Sequence, residues 1–196
     1  MPQILTPALF PYVFPAFAAV VGLVLGSFYS VCVSRGIAGT SIVRPASHCP
    51  HCGHPLAWWE LLPLVSYLLL RGRCAVCRER ISALYPLLEL ASAAWAALTA
   101  AAFGPSWWCV AYLALGGRYI VASGIDFQIY LLPNFLTYPA AALGIAIGAT
   151  RPDIGPMQAV IGAVAGFGVF WLLAAGFRLA KGVDGLGGGD VKLMLS

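Results

Sequence analysis

Phe17-Ala18-Ala19-Val20-Val21-Gly22-Leu23-Val24-Leu25-Gly26-Ser27-Phe28 sits inside a run, Ala8 to Ser34, that carries no charged side chain. A helix crossing the hydrocarbon core of a bilayer needs about 20 such residues. Pro11 and Pro15 fall near the start of the run, where a helix best tolerates proline. The run closes on Gly26-Ser27-Phe28-Tyr29-Ser30 before Arg35. Those small residues either let a second helix pack closely or mark the end of the span. No basic residue precedes the run, so a cleaved secretory signal peptide is not expected.

The rest of the chain follows the same rule. Of its 196 residues 61% are hydrophobic and 9% charged, with a mean hydropathy of +0.88. A soluble domain carries about 25% charged residues, so this composition points to an integral membrane protein. Further apolar spans are expected at 83–103, 107–125, 135–150 and 157–177, and a sixth begins at Val191 and is cut by the chain end. The expected fold is an all-α polytopic membrane protein of about six transmembrane helices with a small zinc-binding loop domain. Its segments are a first helix over 1–34, a polar loop over 35–82, and a membrane core over 83–196. No internal repeat is evident.

Charge sets the expected orientation. Placing the polar loop in the cytoplasm puts nine basic residues inside (Arg35, Arg44, Arg71, Arg73, Arg78, Arg80, Arg178, Lys181, Lys192) and Arg151 outside. This is the bias that the positive-inside rule describes. It predicts an outer N-terminus, with Trp107 and Trp108 at the outer interface.

The polar loop holds Cys49-Pro50-His51-Cys52 and Cys74-Ala75-Val76-Cys77, with 21 residues between the pairs. Two such pairs commonly offer four thiolates to one tetrahedral zinc ion. Cytoplasmic thiols stay reduced, which favours a metal over disulfides; a redox CxxC is the alternative. Four thiolates leave no open coordination position, so the metal would brace the loop and do no chemistry. His51 and His54 are then expected beside the site or in solvent. Trp58 to Leu64 is very apolar for a loop and is expected against the bilayer surface. Cys32 and Cys109 are expected to be packing residues.

Acidic residues are scarce, seven in all. Asp126 closes the third span. Asp190 follows the glycine-rich stretch Gly185-Leu186-Gly187-Gly188-Gly189, which permits close backbone approach. Topology brings both aspartates to one membrane face. Paired carboxylates there resist double ionisation, so one stays protonated while the other acts as base, the arrangement for activating water against an amide. Alternatively each caps a helix or pairs with a cation, Arg118 and Lys192 being available.

Taken together the chain resembles the type IV prepilin leader peptidases, membrane aspartic peptidases of the GxGD type. The resemblance rests on Gly26-Ser27-Phe28, the paired CxxC motifs, Tyr85-Pro86-Leu87-Leu88-Glu89, Ile125-Asp126 followed by Leu132-Pro133-Asn134, and Gly187-Gly188-Gly189-Asp190-Val191-Lys192-Leu193. It implies Asp126 and Asp190 as the catalytic dyad, with Gly187, Gly188 and Gly189 as the loop the substrate approaches. It implies Cys49, Cys52, Cys74 and Cys77 as ligands of a structural zinc. The implied substrates are prepilins and pseudopilins of type IV pili or type II secretion, cut on the cytoplasmic side of a bacterial inner membrane. Family members often also methylate the new N-terminus with S-adenosylmethionine. The glycines at 185, 187 and 189 form no strand–turn–helix nucleotide motif, so that activity follows from the resemblance alone. Two features depart from the family: its chains usually continue through further spans, and Arg118 is not expected in the third. No nucleic-acid partner is expected. The competing classes are a transporter with Asp126 and Asp190 on an ion path, which needs more polar spans, and a non-catalytic scaffold with a zinc-braced loop.

Overall fold

The computed structural model describes residues 10–130, 134–151 and 155–181, and every element longer than five residues in it is an α-helix. In order these are α1 (Phe10–Ala38), the short α2 (Val65–Leu69), α3 (Leu84–Phe103), α4 (Trp107–Ile129), α5 (Asn134–Thr150) and α6 (Gly155–Lys181), with a 3-10 turn at Trp58–Leu61. Among the described residues, three stretches are long and apolar enough to cross a membrane: Pro11–Ala38, Leu84–Phe103 and Trp107–Ile129. Shorter apolar helical stretches follow at Leu136–Thr150 and Gly155–Val169. The expected sixth span lies outside the described residues.

Two compact units divide the chain, Met1–Gly124 and Ile125–Ser196, with the boundary inside α4. In the first unit α1 packs on α3 through small residues. Ala18, Gly22, Gly26 and Ser30 recur every fourth position and all are buried, one row along a helix face. A Cβ on Gly22 would lie 2.5 Å from the Ser92 carbonyl oxygen, and one on Gly26 would lie 2.5 Å from Glu89 Cα. Only glycine lets the two backbones meet this closely, the usual way helices pack where lipid removes the hydrophobic incentive. Of the two sequence readings of this small-residue stretch, close packing is the one the structure adopts.

Further along, the Trp95 ring covers Gly116 and the Tyr29 ring covers Gly117, so α4 joins the same bundle. The Trp95 indole N–H donates to the Tyr112 carbonyl at 2.9 Å, which satisfies a polar group that lipid could not. Ala18, Ala96, Ala100 and Cys109 form the buried centre at the other end, with Phe14, Phe103 and Leu113 against them. Cys109 is the packing residue expected of it, whereas Cys32 is only half-buried.

Helix α1 runs four residues past the expected end of its span. Gly39 (φ +65°) reverses the chain and the Thr40 N–H donates to the Arg35 carbonyl at 3.1 Å, a glycine-terminated helix end. The Arg35 guanidinium then turns outward onto the carbonyls of Ser41, Ile42 and Pro45. A charge that snorkels in this way lets a helix continue beyond its uncharged core.

In the second unit α5 and α6 pack on each other, and a Cβ on Gly148 would lie 2.9 Å from that of Ala159. Gly155 (φ +75°) opens α6, its N–H donating to the Arg151 carbonyl at 3.1 Å.

Candidate metal centre and aspartate site

Each cysteine pair lies at the tip of a small hairpin, and the two hairpins repeat one another at an offset of 25 residues. In the first, Leu56 N–H donates to Ser47 O, Cys49 N–H to His54 O and Gly53 N–H to Cys49 O, each at 2.9 Å. In the second, Ile81 N–H donates to Gly72 O at 2.8 Å, Cys74 N–H to Glu79 O at 2.9 Å and Arg78 N–H to Cys74 O at 3.2 Å. The bridges His48–Pro55 and Arg73–Arg80 match in the same way. The residue after each second cysteine is left-handed: Gly53 at φ +71° and Arg78 at φ +60°. Sequence reading missed this repeat because the pattern is carried by backbone conformation, and an arginine stands where its counterpart is glycine.

The repeat brings Cys49, Cys52, Cys74 and Cys77 together with all four Sγ atoms within 4.8 Å of one another. Cys49 and Cys77 sulfurs are 3.8 Å apart, and those of Cys52 and Cys74 4.0 Å. A tetrahedron with zinc–sulfur bonds of about 2.3 Å has sulfur–sulfur edges of about 3.8 Å. The residues present therefore fit one tetrahedral ion.

The thiols also need a cation to ionise together. Backbone N–H groups of Cys77 and Val76 hold the Cys74 thiol down to about 6. At Cys77 the Glu79 N–H works in the same direction, but burial and the sulfurs of Cys52, Cys74 and Cys49 outweigh it and push the thiol up to about 12. Neighbouring thiolates repel, and a divalent ion removes that conflict.

Two glutamates fasten the loop. Glu60 is buried; its Oε2 accepts the Ala57 N–H at 2.8 Å and lies 3.2 Å from His54 Nε2, which ties the first hairpin to the 3-10 turn. His54 is thus beside the cysteine site and His51 is exposed, as expected. Glu89, buried in the second turn of α3, accepts the Leu64 N–H at 2.8 Å, and its Cα lies 2.5 Å from where a Cβ on Gly26 of α1 would stand. Leu64 has φ +59°, a conformation costly for a bulky side chain. One carboxylate on α3, where that helix meets α1, thus holds a strained point of the loop. Its partner lies 25 residues away in the chain, so no local pattern announces it.

Asp126 occupies the last turn of α4 and is half-buried. The helix ends just beyond it, with Tyr130 at φ +54° donating its N–H to the Asp126 carbonyl at 2.8 Å. Arg118 lies on the same helix and is half-buried. Asp190 and Gly187, Gly188 and Gly189 lie outside the described residues, so the expected pairing with Asp126 is not among the geometry seen here.

Comparison with known proteins assigns the two halves separately. A model of the bacterial peptidase A24 N-terminal domain matches residues 20–103, and one of the type IV leader peptidase family matches residues 113–196. Several relatives carry the name prepilin leader peptidase/N-methyltransferase. The chain is 40% identical to that of Burkholderia pseudomallei (strain K96243), over 91% of this chain and 66% of the relative. It is 36% identical to that of Neisseria gonorrhoeae, over 94% of this chain and 72% of the relative. To that of Klebsiella pneumoniae it is 35% identical, over 95% and 85%. The chain thus spans somewhat under two thirds of the Burkholderia relative and more of the others. No solved structure matches it.

Proposed function

The chain belongs to the type IV leader peptidase family, and from that membership we propose that it is a membrane aspartic endopeptidase acting on prepilins and pseudopilins. The observation that carries the proposal is the family match over residues 113–196, a range that contains both Asp126 and Asp190. In this reading about six spans cross a bacterial inner membrane, the loop over 35–82 faces the cytoplasm, and both aspartates act at that face.

The chemistry follows from the pair. The ionised aspartate removes a proton from water, which attacks the carbonyl carbon of the scissile amide. The protonated aspartate gives its proton to the carbonyl oxygen, and collapse of the tetrahedral species passes a proton to the departing amine. The proton for the amine comes from the aspartate that first took one from water. The other aspartate recovers a proton from a hydroxyl of the tetrahedral species, and both return to their starting states. Because the two carboxyls interact closely, they titrate as one unit. The glycines at 187–189 carry no side chain to obstruct an extended substrate backbone, which must be unwound because helical amides are shielded by their own hydrogen bonds. Cys49, Cys52, Cys74 and Cys77 would hold zinc, whose contribution is to lock the two hairpins together.

The relatives' shared name carries a second activity, N-methylation. We extend it to this chain on the strength of that name, with S-adenosylmethionine as the methyl donor. Incubating the membrane-embedded chain with a full-length prepilin tests both activities by product mass. Loss of the basic leader after a glycine is expected, with the added mass of one methyl group on the new N-terminus when S-adenosylmethionine is supplied. An intact prepilin would overturn the peptidase proposal; a shortened, unmethylated product would overturn the second activity alone.

A further inference from the structure

The segment from Trp58 to Leu70 has the wrong surface for a loop in water. Trp58, Leu61, Leu62, Val65, Leu68 and Leu69 are all exposed, Trp58 by 77% and both Leu68 and Leu69 by 72%. The 3-10 turn and α2 pack mainly on each other and leave this face bare. Its one charged side chain, Glu60, is turned inward onto His54 and the Ala57 N–H. A contiguous apolar face of this kind marks an interaction site.

What covers it follows from where it is held. The Leu64 N–H is bonded to Glu89 in the second turn of α3, a helix long and apolar enough to span the membrane. The start of α2 is thereby tied to the depth at which that span leaves the hydrocarbon. Immediately after α2 come Arg71, Arg73, Arg78 and Arg80, all exposed. Tryptophan and leucine on one side with arginines beyond is the composition of a segment lying in the headgroup boundary, and the arginines complement anionic lipid.

We propose that Trp58–Leu70 lies in the bilayer interface beside α3, its leucines among the acyl chains, with Arg71 and Arg73 on anionic phospholipid headgroups. The inference needs the membrane assignment alone and holds whether or not the chain cleaves prepilins. It makes the loop a body anchored twice, by Glu89 to the spans and by Leu68 and Leu69 to lipid.

A nitroxide placed at Leu68 tests it. The full, zinc-loaded chain carries Leu68→Cys with Cys32→Ala and Cys109→Ala, and is reconstituted in vesicles of phosphatidylethanolamine and phosphatidylglycerol. The parent without Leu68→Cys gives the background labelling. Collisions with oxygen, which partitions into lipid, should exceed those with a water-soluble nickel chelate several-fold. Nickel dominance would place the segment in water and overturn the proposal. Low accessibility to both would mean that protein covers it, a second copy or a partner, and would overturn it equally. Adding Arg71→Gln and Arg73→Gln should shrink the oxygen-to-nickel ratio in these vesicles and leave it unchanged in phosphatidylcholine. No shrinkage would remove the headgroup contacts. Zinc content reports folding of each variant, and Leu69→Cys serves as the site if Leu68→Cys loses metal.

Discussion

At the scale of single residues, backbone handedness equates positions that the sequence alone makes look different. Gly53 and Arg78 hold the same place in the two cysteine hairpins, both with positive φ. A Cβ at Gly53 would meet nothing within 4 Å, so the cost of Gly53→Ala is conformational, about 1 kcal/mol. Zinc retention against a chelator should fall by about fivefold, since 1.4 kcal/mol is a factor of ten. Arg78→Gly should move retention the other way by a smaller margin, because its gain is offset by a freer unfolded chain. Equal retention by all three proteins would show that the left-handed turns carry no strain. Glu89 is tested separately. Glu89→Ala leaves the Leu64 N–H without its acceptor, at about 1–3 kcal/mol, and should open the loop near Leu64 to limited proteolysis. Glu89→Gln keeps a carbonyl acceptor and should be cut more slowly than the alanine variant.

At the scale of elements, the four-residue stripe on α1 is the joint on which the first unit depends. Gly22→Ala drives a methyl against the Ser92 carbonyl and Ala93 Cα, backbone that cannot move aside, and should cost about 1–3 kcal/mol. Gly162→Ala on α6 meets open space and should be neutral or slightly stabilising, alanine being the better helix former. Thermal unfolding of the two variants in one detergent compares them; a larger loss from Gly162→Ala would contradict the packing described here. The helices themselves were legible in the sequence. Hydropathy placed α3 to within one residue of its start, because an uncharged run either fits the hydrocarbon or does not. It stopped α1 at Ser34, since a rule that counts charges ends at Arg35 and cannot see that guanidinium turning back onto Ser41, Ile42 and Pro45. The four cysteines were legible from spacing, whereas the fastening by Glu60 and Glu89 was not. Each depends on a backbone N–H whose availability is decided by the fold.

At the scale of the whole molecule, the proposed function depends on which side of the membrane the loop faces. Single cysteines at Ala46 and Ser106, with Cys32 and Cys109 removed, should react with an impermeant thiol reagent from opposite sides, Ser106 from outside. Labelling of Ala46 from outside in intact cells would place the loop and the proposed cleavage on the wrong face. The metal is a second whole-molecule property: purified protein should carry about one zinc per chain, and Cys49→Ser or Cys74→Ser should lose metal and loop protection together. In the proposed mechanism two aspartates, Asp126 at the end of α4 and Asp190 outside the described residues, form a single catalytic unit. Leader cleavage by Asp126→Asn and by Asp190→Asn, measured on a full-length prepilin with insertion and zinc content confirmed, tests it most directly. Asparagine keeps the shape and cannot exchange the proton, so each variant should lose at least about 100-fold in rate. Cleavage at the wild-type rate by either one would contradict the account.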